Sequence, residues 1–268
     1  MIKESFPLNY FASWFSPVKM FRGRKSLGWL QIIIVLLFLM ALNLLPVPAY
    51  FQRQKSVPLD IYLPQVQKLL QKNDKGLEQA VQKAEFTAER FKFEQSQIVS
   101  KSKTSIVGIG LSAKKIGNFK NAVVLNNDHF IFKEDGQADK VYYSDHFNPQ
   151  TGIKQQLEHE WYQRNKGTIT FMMLQSIGSL FLLTNLIFVF GGAFLLWLGR
   201  KSPLVTKSSF KENVNLMVNI LGPVSLLTAI IGFLKFDLSL MLMLQMLGAV
   251  IIMLTVYAKT KFNDHASV

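Results

Sequence analysis

The side chains in this 268-residue chain best suited to acid–base or metal chemistry are four histidines, His129, His146, His159 and His265. Glu158-His159-Glu160 has the composition of a ligand cluster, but neighbouring residues on a helix point in different directions. A helical zinc protease carries two histidines four apart with a glutamate between them. Here the positions four before and four after His159 are Gln155 and Gln163. Asp145-His146 falls in a turn-like stretch ahead of Asn148-Pro149. All four therefore read as ordinary surface histidines. The chain has no cysteine, which excludes thiol nucleophiles, cysteine zinc sites and iron–sulfur clusters. There is no serine-nucleophile elbow and no phosphate loop. Gly108-Ile109-Gly110 sits inside a strand-like run, where a bulge or bend explains it better than a nucleotide fingerprint, which needs a following helix. No catalytic residue, cofactor or metal is assigned, and the chain reads as non-enzymatic.

The elements that would position any site are set by four apolar stretches, Leu27–Leu45, Ile169–Leu198, Val214–Phe233 and Leu238–Tyr257. Each is long enough for a bilayer core, which takes about 20 apolar residues. None contains Asp, Glu, Lys or Arg; Lys235 and Asp237 lie in the short gap between the last two. Ionisable residues inside spans usually mark ion or proton paths. The polar residues here are amides and hydroxyls, including Asn43, Asn185, Asn215, Asn219, Thr228 and Gln245. Asn215 and Asn219 share one helix face, and interhelical hydrogen bonding is the commoner use of such a pair.

Charge sets the expected orientation. Lys3, Lys19, Arg22, Arg24 and Lys25 precede the first stretch, Arg200, Lys201, Lys207 and Lys211 follow the second, and Lys259 and Lys261 follow the fourth. Short Lys/Arg-rich segments stay in the cytoplasm. The expected fold class is a multi-pass α-helical membrane protein, with four transmembrane helices and an extracytoplasmic α+β domain between helices 1 and 2. Its boundaries are an interfacial helix at 1–25, the first span at 26–50, the outside domain at 51–168 and the second span at 169–198. A cytoplasmic loop at 199–213, a hairpin of spans at 214–257 and a cytoplasmic tail at 258–268 follow. The net charge of +13 is largely explained by this topology, so a nucleic-acid partner is not expected. Val47-Pro48-Ala49 resembles a signal cleavage site, but an apolar core of about 19 residues exceeds the usual signal length and favours a retained anchor.

Phe11, Trp14, Phe15, Val18 and Phe21 fall at helical spacing with Lys19 and Arg22 on the other side. The pattern predicts a helix in the membrane interface, with Phe11, Trp14, Phe15 and Phe21 in the acyl boundary and Lys19 and Arg22 by the phosphates. Within 51–168, Ile61 to Val81 reads as helix with a break at Asn73–Gly76. Thr104–Leu111, Ala122–Leu125, His129–Phe132 and Lys140–Tyr143 read as strands of a small antiparallel sheet. Ile153, Leu157 and Trp161 repeat every four residues, so a helix is expected to run from there into the second span.

The opening run Phe11-Ala12-Ser13-Trp14-Phe15-Ser16-Pro17-Val18-Lys19, followed by Arg22 and the first span, resembles the start of a family of Gram-positive integral membrane proteins of unknown function, the MalA-like maltodextrin utilisation proteins. The order of one span, an exported domain and three spans resembles that family too. A Lys-rich, cysteine-free exported domain suits such an envelope. The charge pattern puts both termini in the cytoplasm, and the resemblance implies a plasma-membrane protein that accompanies carbohydrate uptake or its sensing. Its partners would be the lipid bilayer and a carbohydrate uptake system or another membrane protein. It implies no catalytic residue. An envelope sensor and a small permease stand as alternatives.

Overall fold

A computed structural model describes residues 6–199 and 206–264. Lys3, Glu4, Arg200, Lys201 and His265 lie outside the described residues. The elements in chain order are α1 (Leu8–Ser13), α2 (Pro17–Arg22), α3 (Trp29–Leu44), α4 (Pro46–Arg53), α5 (Pro64–Gln82), β1 (Glu85–Thr87), β2 (Arg90–Lys92), β3 (Gln97–Lys101) and β4 (Ser105–Ile109). After these come α6 (Ala113–Gly117), β5 (Asn121–Leu125), β6 (His129–Glu134), β7 (Gln137–Tyr142), α7 (Ile153–Gly199), α8 (Phe210–Leu234) and α9 (Leu238–Thr260). They fall into two compact units, a helical one of residues 1–53 and 169–268 and a sheet-bearing one of residues 54–168.

In the helical unit α8 is the central helix. Val214 to Leu221 are buried without a break, the amides Asn215 and Asn219 included. Its neighbours α3, α7 and α9 bury one face and expose the other, with Leu30, Ile33, Leu183, Ile187, Leu247 and Ile251 among the exposed residues. Close approach depends on small residues. A Cβ at Gly222 would collide with the Trp14 ring, and one at Gly192 with Met217.

The expected fold class needs correcting. The three long uninterrupted helices α7, α8 and α9 all come after the sheet. The apolar segment ahead of it is no single helix, because α3 stops at Leu44, Leu45 turns and α4 starts at Pro46. Proline has no N–H to donate, so neither Pro46 nor Pro48 can extend the hydrogen-bond ladder of α3. Four helical segments among the described residues are long and apolar enough to cross a membrane, with Trp29–Arg53 counted across that junction and Ile153–Gly199, Phe210–Leu234 and Leu238–Thr260 as the others. The domain's sheet is also mixed, and not antiparallel as expected.

In the sheet-bearing unit five strands run in the order β3-β4-β5-β6-β7. Every neighbouring pair is antiparallel except β4 and β5, which align in parallel from Ser105 opposite Asn121 to Ile109 opposite Leu125. A parallel pair needs a crossover, and α6 lies within it. The buried face of α5, with Val66, Leu70, Leu77 and Val81, packs on the sheet. Its start has no side-chain cap of its own, and Glu134 of β6 supplies one by accepting hydrogen bonds from the N–H groups of Gln65 at 2.9 Å and Val66 at 2.8 Å. The expected break at Asn73–Gly76 is absent. Asn73 donates back to the Leu69 carbonyl at 2.8 Å, and Gly76 lies in the helix against Val99. β1 and β2 form a separate two-stranded ribbon.

Candidate functional site

The residues expected at a membrane interface lie across two short helices and the turn between them, with Phe11 in α1, Trp14 and Phe15 in the turn, and Lys19, Phe21 and Arg22 in α2. Ser16 is extended and Pro17 opens α2, so the chain turns between α1 and α2. Phe21 is buried, Phe11 and Trp14 are half-buried, and Phe15 is 84% exposed. Lys19 and Arg22 are exposed. Phe11 meets Phe38 of α3 edge-on, and Trp14 lies over Gly222 of α8. Much of the aromatic face is thus turned onto the protein itself, and α8 holds it there through its amides. Asn219 donates to the Met20 carbonyl at 3.1 Å, while Asn215 donates to the Arg24 and Leu27 carbonyls at 2.8 and 3.0 Å.

Arg24 forms the centre of this end of the helical unit and is 1% exposed. It donates to the Phe21 carbonyl at 3.0 Å and to Asp264 Oδ1 at 2.6 Å, and its Nε lies 3.6 Å from Glu212. Its guanidinium carbon sits 3.9 Å above the Phe21 ring. Lys25 reaches Asp264 at 3.6 Å. Thr206 donates its N–H to the Phe262 carbonyl and accepts from the Asp264 N–H. Segments around residues 24, 206–212 and 260–264, far apart in sequence, therefore meet at one node. Partial burial raises the Asp264 carboxyl, but the Arg24 hydrogen bond and charge, aided by Lys25, outweigh it and hold it below its usual value. Sequence reasoning counted Arg24 among the basic residues that set orientation and foresaw no acidic partner for it. The available signal was that Glu212 and Asp264 are rare acids in otherwise basic segments.

A second polar cluster crosses the middle of the helical unit. Gln245 of α9 donates to Asn185 of α7 and to Ser225 of α8, both at 3.0 Å, and Asn43 of α3 lies 3.5 Å from its carbonyl oxygen. All four residues are buried. Each helix contributes one member, the arrangement expected of amides used to fix helix packing.

In the sheet-bearing unit the histidines have structural partners. His159 Nδ1 donates to the Lys55 carbonyl at 2.6 Å, and His129 bonds Asp128. Among the described residues no three His, Asp or Glu side chains gather as a metal site. His146 instead lines a cleft of about 790 Å³, bounded by Glu78 and Gln82 of α5, Phe86 of β1 and the loop from Asp145 to Gly152. The loop is braced from α7. Gln156 accepts from the Asn148 N–H and donates to Thr151, and Glu160 accepts from Ser144, whose oxygen takes up the His146 N–H. Asn148 also accepts from the Gln150 N–H. Gly152 closes the loop at a φ of +100°, a conformation that favours glycine. Phe86 is held by ring contacts to Phe91 at 4.7 Å and Phe147 at 5.3 Å. The sequence singled out Asp145-His146 but gave no sign that α5 and β1 would complete a cleft around it.

No family model matches the chain, and no solved structure matches it. Among curated proteins, the maltodextrose utilization protein MalA of Streptococcus pneumoniae (strain ATCC BAA-255 / R6) is 24% identical over 263 residues, covering 97% of this chain and 97% of that protein. The chain is a distant relative of MalA over almost its whole length.

Proposed function

We propose that this protein is a membrane-embedded, non-enzymatic accessory or regulatory component of maltodextrin utilisation. The sugar part of this reading is carried by the relative's printed name and by the near-complete coverage of both chains. The membrane part is supported by four helical segments of sufficient length and hydropathy. It is supported further by exposed faces of α3, α7 and α9 that are rich in Leu, Ile and Phe. Soluble monomers seldom leave such apolar surface uncovered. Arg24, Lys25, Glu212 and Asp264 meet at one end of the helical unit. Short Lys/Arg-rich segments stay in the cytoplasm, and the segments at residues 19–25, 207–211 and 259–261 are of that kind, so on this reading residues 54–168 lie outside the cytoplasm of a bacterial plasma membrane. Its partners are the bilayer and a carbohydrate uptake system.

Deleting the gene and comparing growth on maltodextrin and on glucose tests the function. Impaired growth on maltodextrin alone is expected, and equal growth on both sugars removes the proposal. Reporter fusions after Lys120 and Lys207 test the orientation. An external reporter active after Lys207 overturns it.

A further inference from the structure

We infer that the cleft between α5, β1 and the loop from Asp145 to Gly152 binds a neutral oligosaccharide. Its lining makes that choice. The chain carries a net charge of +13, yet no Lys or Arg lines this cleft, while Glu78 and Asp145 do. Phosphates and anionic polymers would therefore meet carboxylates with no Lys or Arg to offset them. A metal ion is equally ill-served, since no three His, Asp or Glu side chains gather anywhere among the described residues.

What the cleft does offer is planar polar groups around the Phe86 ring, with Phe147 also in its lining. Gln82, Asn148 and Gln150 bring amides and Glu78 and Asp145 bring carboxylates. Each planar group presents two hydrogen-bonding atoms, a spacing that suits the paired hydroxyls of a sugar ring. Phe86 supplies the apolar surface against which the C–H face of a sugar can stack, and its contacts to Phe91 and Phe147 fix the ring in advance. The bracing of the loop by Gln156 and Glu160 likewise removes ordering entropy that a ligand would otherwise have to supply. A volume of about 790 Å³ is within the range of small-molecule sites and large enough for a short oligosaccharide.

The choice of an α-linked glucan rests on the maltodextrin reading above. The test is calorimetric titration of maltotetraose into the full-length protein in lipid nanodiscs, because maltoside detergents would compete. Binding is expected, and Gln82→Ala and Phe86→Leu should each weaken it by about tenfold or more, while Lys92→Ala on the β1–β2 ribbon leaves it unchanged. Gln82 is exposed, so its variant should fold normally, and circular dichroism with thermal unfolding checks Phe86→Leu. Absence of maltotetraose binding overturns the inference, as does binding that neither cleft variant weakens. Binding of a lysine-rich peptide in place of the sugar overturns it in favour of a cationic ligand. A growth defect on maltodextrin without binding condemns the cleft alone. Binding without a growth defect condemns the functional reading alone.

Discussion

Arg24 Nη2 and Asp264 Oδ1 lie 2.6 Å apart although 240 residues separate them in sequence. The two ends of the pair differ in environment, with the Arg24 side chain 2% exposed and that of Asp264 37% exposed. Removing one is therefore not equivalent to removing the other. Asp264→Asn keeps an acceptor near the guanidinium and loses a solvent-screened charge, so it should cost at most about 1 kcal/mol. Arg24→Met keeps bulk over Phe21 but strips donors from the Phe21 carbonyl and from both acids, and should cost about 1–3 kcal/mol. Thermal unfolding of the single and double variants in nanodiscs checks the order, and the double cost should fall short of the sum.

The same pair predicts an acid sensitivity. The Asp264 carboxyl is held below its usual value in the folded protein. Its contribution is therefore present above the unfolded value of about 3.9 and is lost as pH falls through the lower folded value. The stability gap between the natural chain and Asp264→Asn should be constant from neutral pH down to mildly acid solution and should close below it. A gap that widens on acidification would contradict the assignment.

Gln245 is the shared member of the buried polar cluster. Gln245→Ala leaves Asn185 and Ser225 without their donor in an apolar surrounding, at a cost of about 1–3 kcal/mol. Ser225→Ala removes one contact of several and should cost less. The difference is measured by unfolding each variant in the same lipid.

Gly108 and Gly117 separate space from chain flexibility. A Cβ at Gly108 collides with the backbone carbonyl of Gln97 in the adjacent strand, whereas one at Gly117 meets nothing within 4 Å. Backbone in a sheet has nowhere to go, so Gly108→Ala should destabilise by about 1–3 kcal/mol. Gly117→Ala should stay close to neutral, as judged by chemical unfolding of the full chain.

Glu134 tests the borrowed cap of α5. Glu134→Ala leaves the Gln65 and Val66 N–H groups without their acceptor, which should cost about 0.5–2 kcal/mol. Hydrogen exchange should rise first in the opening turn of α5, and unchanged protection there would refute the capping role.

Periodicity carried much of this fold and none of its closures. Ile153, Leu157 and Trp161, spaced by four, are all buried at the start of α7, and the strand-like runs near residues 105, 122, 129 and 140 all lie in strands. Strand direction was not legible, because alternation says which face is inward and nothing about the partner, so the parallel β4–β5 pair was unforeseen. The β1–β2 ribbon turns through Ala88 and Glu89, both at positive φ, where neither residue type announces a turn. The proline pair at Pro46 and Pro48 did announce the end of α3, but not that a further short helix would start on it. The aromatic spacing of Phe11 to Phe21 was visible, whereas its packing on Gly222 and Phe262 depends on residues some 200 positions away. The cleft around Phe86 shares that difficulty, being assembled from three segments that only the tertiary fold brings together.

The separation of Arg24 from its acidic partners also sets a timetable. At about 5–20 residues per second, the ribosome makes Asp264 roughly 12–48 seconds after Arg24. Glu212 comes earlier, but the donor-to-acceptor contact of 2.6 Å belongs to Asp264. Until Glu212 and Asp264 emerge Arg24 has neither of its acidic partners, and α1 and α2 have no complete α8 to settle on until residue 234 is made. The hydrogen bonds of the sheet, by contrast, all lie within residues 97–142 and can form as soon as that stretch emerges. The node at Arg24 is completed only once Asp264 is made.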